Sequence, residues 1–461
     1  MDKYTKCSFP LFIFIGLLLF VSCEVDTSLD FPGPRPLPSG EQTVNGWIYN
    51  TMQINYLWND EIPELEQIDE TIDPEVFFMS LLSDKDGKGS PYSYIESTLT
   101  TKSNNLTTTH GINYTPVSFG GISVYYHINY VTPDSPAGDA GLIHGEWITH
   151  YNDIEINRNN YLDFDAYNGN MTLSLAQFID GDLTHTRDVE IEAAIEMDVN
   201  PIHLDTVYTI EDKKVAYLVY NRFLSGPFDH NDHTYDNQLR SISSDFAAHN
   251  LDELILDLRY NPGGLVSCAQ LLATLLAPKD KMGEVLCRLR SNKMLNEEYI
   301  YRLNESLIGN GTNLDMKRVY IITSSSTASS SEIIINGLRP HGVEVILVGG
   351  QTAGKNVAST EFTDDNFPWA LNPIISTIEN ADGFGDYADG FIPDFNFGRD
   401  YEFLYRGEAK DLGDTEEYIL SSVLQIINTG SLSGTRSRTM DNANLQILPH
   451  QQKGLHGAIV Q

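Results

Sequence analysis

Positive charge is scarce in this chain. Its 461 residues hold 29 Lys and Arg against 64 Asp and Glu, a formal charge of −35. That balance excludes nucleic-acid binding through a basic face, because phosphate contacts need clustered Lys and Arg. It fits a soluble protein that repels anionic surfaces. Cysteine is scarce as well, with Cys7, Cys23, Cys268 and Cys287 only. Cys268 and Cys287 either pair in an oxidising compartment or stand as two buried thiols, since Val266-Ser-Cys-Ala-Gln-Leu-Leu is an apolar run. Long apolar runs are missing apart from Leu11 to Phe20, which is short for a membrane span. Behind Lys3 and Lys6 it reads as an export signal. There is no internal repeat. A hydrophobic content of 41% is nonetheless ordinary, which argues against global disorder. The length allows two or three domains with full cores.

Leu-Phe-Val-Ser-Cys23 follows the apolar run. A small residue before cysteine resembles a bacterial lipoprotein cleavage site, although Phe20 stands where leucine is usual. The resemblance implies a lipid on Cys23 and anchorage to a bacterial cell-envelope membrane, on its periplasmic or surface-exposed face. A plain secretory signal with an incidental Cys23 is the alternative. Residues 1–22 are thus a signal and 23–42 a tether, stiffened by Phe31-Pro-Gly-Pro-Arg-Pro-Leu-Pro38. Residues 43–104 read as a small helical region. Trp47, Ile48, Met52, Ile54, Tyr56 and Trp58 recur at helical spacing. Asp73-Pro74 opens a second helix with Val76, Phe77, Met79, Leu81 and Leu82 on its apolar face. Residues 105–197 switch to short strands. From 198 to 428 strands and helices alternate, which argues an α/β core with a mainly parallel sheet. Residues 429–461 are polar and aperiodic and read as disordered.

Two segments carry the strongest chemical signal. Arg318-Val-Tyr-Ile-Ile-Thr323 reads as a strand and leads into Thr327-Ala-Ser-Ser-Ser-Glu332. A short helix follows over Glu332 to Arg339. Val343-Glu-Val-Ile-Leu-Val348 reads as the next strand and leads into Thr352-Ala-Gly-Lys355. A serine at a helix start and a lysine at the next strand end can meet in space, and an uncharged lysine can act as base for the hydroxyl. Gly349 to Lys355 also matches a P-loop, but Asn356 stands where Ser or Thr should hold magnesium, and a β-branched run replaces the required helix. Asp84-Lys-Asp-Gly-Lys-Gly89 hints at a calcium loop, yet Lys88 and Ile95 stand where oxygen ligands belong. Asp229-His-Asn-Asp-His233 could bind zinc but reads more simply as a solvated loop. No metal and no cofactor is expected.

Ser135-Pro-Ala-Gly-Asp-Ala-Gly-Leu142, Gly145-Glu-Trp-Ile148 and Ser118-Phe-Gly-Gly-Ile-Ser-Val124 together resemble a PDZ domain. That resemblance implies capture of a peptide C-terminus in the loop Phe119, Gly120, Gly121 and Ile122. Glu146 replaces the usual Asp. With Asp257-Leu-Arg-Tyr-Asn-Pro-Gly-Gly264, Ala328-Ser-Ser-Ser-Glu332, Lys355, Gly390-Phe-Ile-Pro-Asp394 and Leu412-Gly-Asp414 in order, residues 47–427 resemble the carboxyl-terminal processing (tail-specific) serine proteases. The resemblance implies a multidomain α/β protein: an N-terminal helical region, a PDZ-like β-rich domain and a mixed α/β core of crotonase or Clp-protease type. It also implies an endopeptidase that cleaves near polypeptide C-termini, with apolar C-termini as partners. Ser329 aligns with the nucleophile and Lys355 with its base. The oxyanion donors align with Gly263 or Gly264 and with Ser330. Ser330 and Ser331 compete with Ser329 because the motif is a serine run. Ser359 stands where many members carry a glutamine, and its part in orienting Lys355 is open. A peptide-binding scaffold without turnover is the alternative function. The sequence leaves the oligomeric state undefined.

Overall fold

Thr43 opens the first element. Its hydroxyl accepts the Gly46 N–H at 3.1 Å and caps α1 (Val44–Asn55), whose Trp47, Ile48 and Met52 are buried. Asp73 caps α2 (Pro74–Ser80), accepting from the Glu75 and Val76 N–H groups, with Pro74 in the first turn as the sequence suggests. The apolar face differs from expectation. Phe77, Phe78 and Leu81 are buried, while Val76 and Met79 are exposed. Two turns of helix present only a narrow stripe, and the aromatic Phe78 takes the place assigned to Met79. The computed structural model describes residues 43–87, 90–99, 106–121, 123–228, 231–398, 401–405, 407–432 and 445–449. Cys23, the tether, Ile122, Asp229 and His230 lie outside the described residues.

β1 (Tyr94–Ser97) leaves the helical region. The β-rich region follows with β2 (Leu106–Thr109), β3 (Ile112–Phe119), β4 (Ser123–Val131), α3 (Pro136–Asp139), β5 (Trp147–Tyr151), β6 (Ile154–Glu155), β7 (Met171–Ile179), β8 (Asp182–Ile191) and β9 (Ile195–Asp198). β3, β4, β5, β7 and β8 form one antiparallel sheet in that order, with β6 beside β5, while β2 pairs with β9. Tyr126, Ile128, Ile148, Leu173 and Leu175 fill its core.

The α/β core begins with a hairpin of β10 (Ile202–Ile210) and β11 (Lys213–Tyr220). It continues through α4 (Thr234–Ala248), β12 (Glu253–Asp257), α5 (Val266–Leu276), β13 (Val285–Ser291), β14 (Glu298–Arg302), β15 (Arg318–Thr323), α6 (Ser330–Leu338) and β16 (Glu344–Gly349). β17 (Val357–Ser359), β18 (Phe362–Asp364), β19 (Phe367–Asn372), β20 (Ile374–Asn380), β21 (Phe395–Asn396), α7 (Tyr401–Leu404) and α8 (Tyr418–Thr429) complete it. The central sheet runs β10-β11-β12-β15-β16-β21 and is parallel from β11 onward. All five residues of β12 are buried, as are the last five of β15. That explains their unbroken apolar runs, because both faces of a parallel sheet are covered. A second sheet, β14-β13-β20-β17, and a third, β1-β19-β18, flank it. Cys268 and Cys287 are free and buried.

Of the segment 433–461, which was expected to be disordered, only residues 445–449 are described. β22 (Leu445–Ile447) pairs antiparallel with β3 and is the outermost strand of the β-rich sheet. Its sequence has too few residues for a visible period, so only the partner strand could reveal it.

Candidate active site

Three loops meet where β12, β15 and β16 end. This is the carboxyl edge of the parallel strands, where open α/β sheets place their sites. The first loop runs from Asp257 to Gly264. Arg259 is buried and its guanidinium bridges the Asp257 carboxylate, 2.8 Å away, and Glu417, at 3.0 and 3.1 Å. Glu417 in turn caps α8 through the Ile419 and Leu420 N–H groups. Burial would raise the Glu417 carboxyl, but Arg259 and His144 hold it well below the usual range. This buried charge cluster fixes the start of the loop. The second loop is bound to it: Thr327 Oγ1 donates to Leu258 O at 2.8 Å, and Ser324 Oγ donates to Arg259 O.

Ser329 precedes α6 and adopts φ 60°, ψ −113°. A positive φ is strained for a residue with a Cβ and persists only where its surroundings enforce it. Gly263 explains how the chain packs there. A Cβ on Gly263 would sit 2.8 Å from Ser329 Cβ and 3.1 Å from Ser330 N. Only glycine lets the two loops approach this closely. The serine run also separates by role. Ser330 Oγ donates to Gly264 O at 2.7 Å, and Ser331 Oγ donates to Asn261 O at 3.0 Å. Both hydroxyls lock the second loop onto the first.

The oxyanion candidates separate in the same way. Gly263 N–H donates to Asn261 Oδ1 at 2.9 Å and is engaged there. Its carbonyl accepts from Phe223 N–H, and Leu265 N–H returns a bond to Phe223 O. Along this parallel bridge the Gly264 N–H points away from Phe223. Ser330 N–H opens α6, where helical geometry provides no intrahelical acceptor. Gly264 and Ser330 are therefore the available pair.

Glu332 was legible only as a motif letter, and its position is the centre of the site. It is fully buried and accepts four hydrogen bonds. Oε2 takes Ser329 N–H at 2.9 Å and Lys355 N–H at 2.8 Å, while Oε1 takes Thr352 Oγ1 at 2.6 Å and Gly354 N–H at 2.8 Å. One carboxylate thus pins the serine loop to the lysine loop. Burial raises its carboxyl above the ordinary range, and these four donors oppose that rise.

Lys355 is buried, and its Nζ lies 5.1 Å from the centroid of the Tyr92 ring. Burial pushes its ammonium down to about 8, against the opposing pull of the Asp86 and Glu332 carboxylates. Asp86 and Tyr92 come from the N-terminal region and were missed in the sequence. Asp86 belongs to the segment rejected as a calcium loop. It is buried, accepts Tyr56 Oη at 2.9 Å and the Tyr92 and Ser93 N–H groups at 2.8 and 3.0 Å, and so sets Tyr92 beside the lysine. The signal available was a lone Asp in a Gly-rich turn, which does not announce a distant partner. Ser359 is buried on β17 opposite Ile374. The turn holding Phe119, Gly120 and Gly121 belongs to the β-rich sheet. Phe119 pairs with Ser123, and Gly121 O accepts Arg158 Nε at 2.9 Å. The strand that follows this turn, β4, is paired with β3 and β5, and β3 itself is paired with β4 on one side and with β22 on the other. His233 Nδ1 lies 3.0 Å from Asp236 Oδ2.

A serine at a strained turn, a depressed lysine and two free backbone donors define a chain of the serine-peptidase class. Residues 214–396 match the description "Peptidase family S41", and residues 43–94 match "Peptidase S41 N-terminal domain". A crystal structure assigned to the S41 proteases of Bacteroides fragilis superposes with a TM-score of 0.74 at 30% identity, covering 86% of this chain and 100% of that one. The chain belongs to peptidase family S41. A carboxy-terminal-processing protease of Bartonella bacilliformis is 24% identical over 314 residues, which is 65% of this chain and 66% of that one. A Staphylococcus epidermidis protein named "Probable CtpA-like serine protease" is 27% identical over 175 residues, spanning 38% of this chain and 32% of its own length.

Proposed function

We propose that this protein is a serine endopeptidase acting on polypeptides through a Ser329–Lys355 dyad. The observation that carries the reading is the Glu332 carboxylate, which ties the backbone of Ser329 to that of a buried, depressed Lys355. In this mechanism Lys355 Nζ takes the Ser329 proton as Oγ attacks the scissile carbonyl carbon. The oxyanion collects the Gly264 and Ser330 N–H groups. Lys355 then passes the proton to the leaving amine, and water releases the acyl group from Ser329. Ser359 supports Lys355 only as an expectation from the family pattern. Preference for apolar C-termini, a PDZ-type role for the β-rich region and lipid attachment at Cys23 belong to the same reading. The lipid rests on the small residue before Cys23 and the apolar run Leu11 to Phe20 ahead of it, and predicts that a fatty-acid label marks the wild type and spares Cys23→Ala. Equal labelling of the two would refute it.

A scaffold reading has one observation in its favour. Ser329 is fully buried, so this conformation admits no polypeptide to the hydroxyl, and turnover needs its cover to move. Burying a lysine is costly, however, and a binding-only protein has no use for it. The test is to incubate the purified chain starting after Cys23 with an unfolded protein and identify products by mass spectrometry across pH. Cleavage should rise with pH through a single ionisation near 8, because Lys355 acts as a base only when neutral. Asp86 pulls the lysine up, so Asp86→Asn should move that inflection to lower pH. An inflection that stays in place, or moves up, sinks the assigned base. No products from any substrate leaves the scaffold reading.

A further inference from the structure

β3 is the edge strand of the β-rich domain, and Pro116 within it marks an edge, since proline has no N–H to offer a neighbour. That edge is occupied by a segment from the far end of the same chain. Leu445 stands opposite Phe119, Gln446 opposite Ser118 and Ile447 opposite Val117, and Leu448 N–H donates to Pro116 O at 2.9 Å. Side chains add a second layer of recognition. Leu448 is 5% exposed and lies in the domain core with Tyr114 and Tyr126, while Leu445 packs on the cluster of Val117 and Trp147. Arg158 reaches Gln446 Oε1 while also holding Gly121 O and Ser118 Oγ. Tyr161 Oη donates to Pro449 O at 3.1 Å.

We propose that the β3 edge is a binding site for an extended, internal polypeptide segment, and that residues 445–449 hold it in cis as a built-in competitor. This rests on the reading above only in taking polypeptides as the natural ligands. The groove selects apolar anchors at the first and fourth positions of the segment and an amide oxygen at the second. It needs no free carboxylate, because the chain runs on past Pro449 to Gln461. This departs from capture of a C-terminus at the Phe119 turn. The pairing is suited to exchange. A strand of three residues followed by one buried anchor, Leu448, is weak alone. Pro116 also leaves the ladder one donor short. What holds the segment is its covalent continuity with the rest of the chain, which gives an effective concentration on the order of millimolar. A substrate strand in trans competes against that concentration.

The test measures anisotropy of a fluorescein-labelled peptide of residues 443–450 in the Ser329→Ala background, so that turnover plays no part. Three chains are compared: intact, truncated after Asn444, and full-length Gln446→Pro. The last removes the N–H that faces β3, since Gln446 is two residues from Leu448 and shares its side of the strand. Truncation and Gln446→Pro should each tighten binding by about tenfold or more, and a peptide carrying Asp in place of Leu448 should not bind. Equal affinity in all three chains overturns the proposal. So does absence of binding by Gln446→Pro while its melting curve shows it folded, which keeps the test decisive if the truncated chain does not fold. A chain that binds in this way but, with Ser329 restored, cleaves nothing would sink the peptidase reading and leave this one standing.

Discussion

Ser329→Ala should lower kcat/KM on an unfolded protein substrate by about ten-thousand-fold or more, with the melting curve little changed. The size follows from the absence of a substitute. Ser330 and Ser331 are adjacent, but their hydroxyls already donate to the Gly264 and Asn261 carbonyls. Recruiting Ser330 would take from the Gly264 carbonyl its side-chain donor, recruiting Ser331 would leave the Asn261 carbonyl with the Ala328 N–H alone, and either would need a different backbone turn. Of the three serines Ser329 alone holds the positive φ, and alanine keeps the Glu332 carboxylate bond to its N–H while losing the hydroxyl's half of the capping box, a loss of about 1 kcal/mol. The controls should therefore fail differently. Ser331→Ala should lose stability by roughly 1 kcal/mol, through the loss of one of the two hydrogen bonds to the Asn261 carbonyl, which keeps the Ala328 N–H, while retaining measurable turnover. Product formation by Ser329→Ala at a rate near the parent would overturn the nucleophile.

The parts of this fold that could be read in sequence are those whose signal is local. The strand expected over Arg318–Thr323 is β15 residue for residue, and Val343–Val348 is β16 displaced by one. Both are largely apolar because most of their residues are buried between the covered faces of the sheet. The helix expected over Glu332–Arg339 starts two residues earlier, at Ser330. The turn of Ser329 is what allows that earlier start, and no propensity reports it. Ser329, Lys355 and the glycine pair are legible as motifs, but that the Gly263 N–H is engaged by the Asn261 side chain is not. Glu332, Asp86 and Tyr92 act across the fold, with no periodicity to mark them. The tail strand was hidden for the same reason. Its partner β3 lies more than three hundred residues away, and each alone is an ordinary short apolar stretch.

Lys355→Met should abolish turnover and, at neutral pH, raise stability. The lysine is depressed from 10.5 to about 8 by burial. A folded value below the unfolded one means that the unfolded chain binds the proton more tightly, so the charged form costs the fold about 3 kcal/mol. Below pH 8 both states are protonated and the whole cost is present. Between about 8 and 10.5 the folded lysine has lost its proton while the unfolded one keeps it, so stability rises with pH. Above 10.5 the cost is gone. Methionine has a similar length, no charge and the flexibility to fill the space over Tyr92. The variant should therefore melt several degrees above the parent at pH 7, and the gap should shrink as the pH approaches 10.5. Arginine at the same position should do the reverse, since its charge cannot be shed. A Lys355→Met chain that melts at or below the parent at pH 7 would show that the buried ammonium is not strained there. One that still cleaves would remove Lys355 as the base.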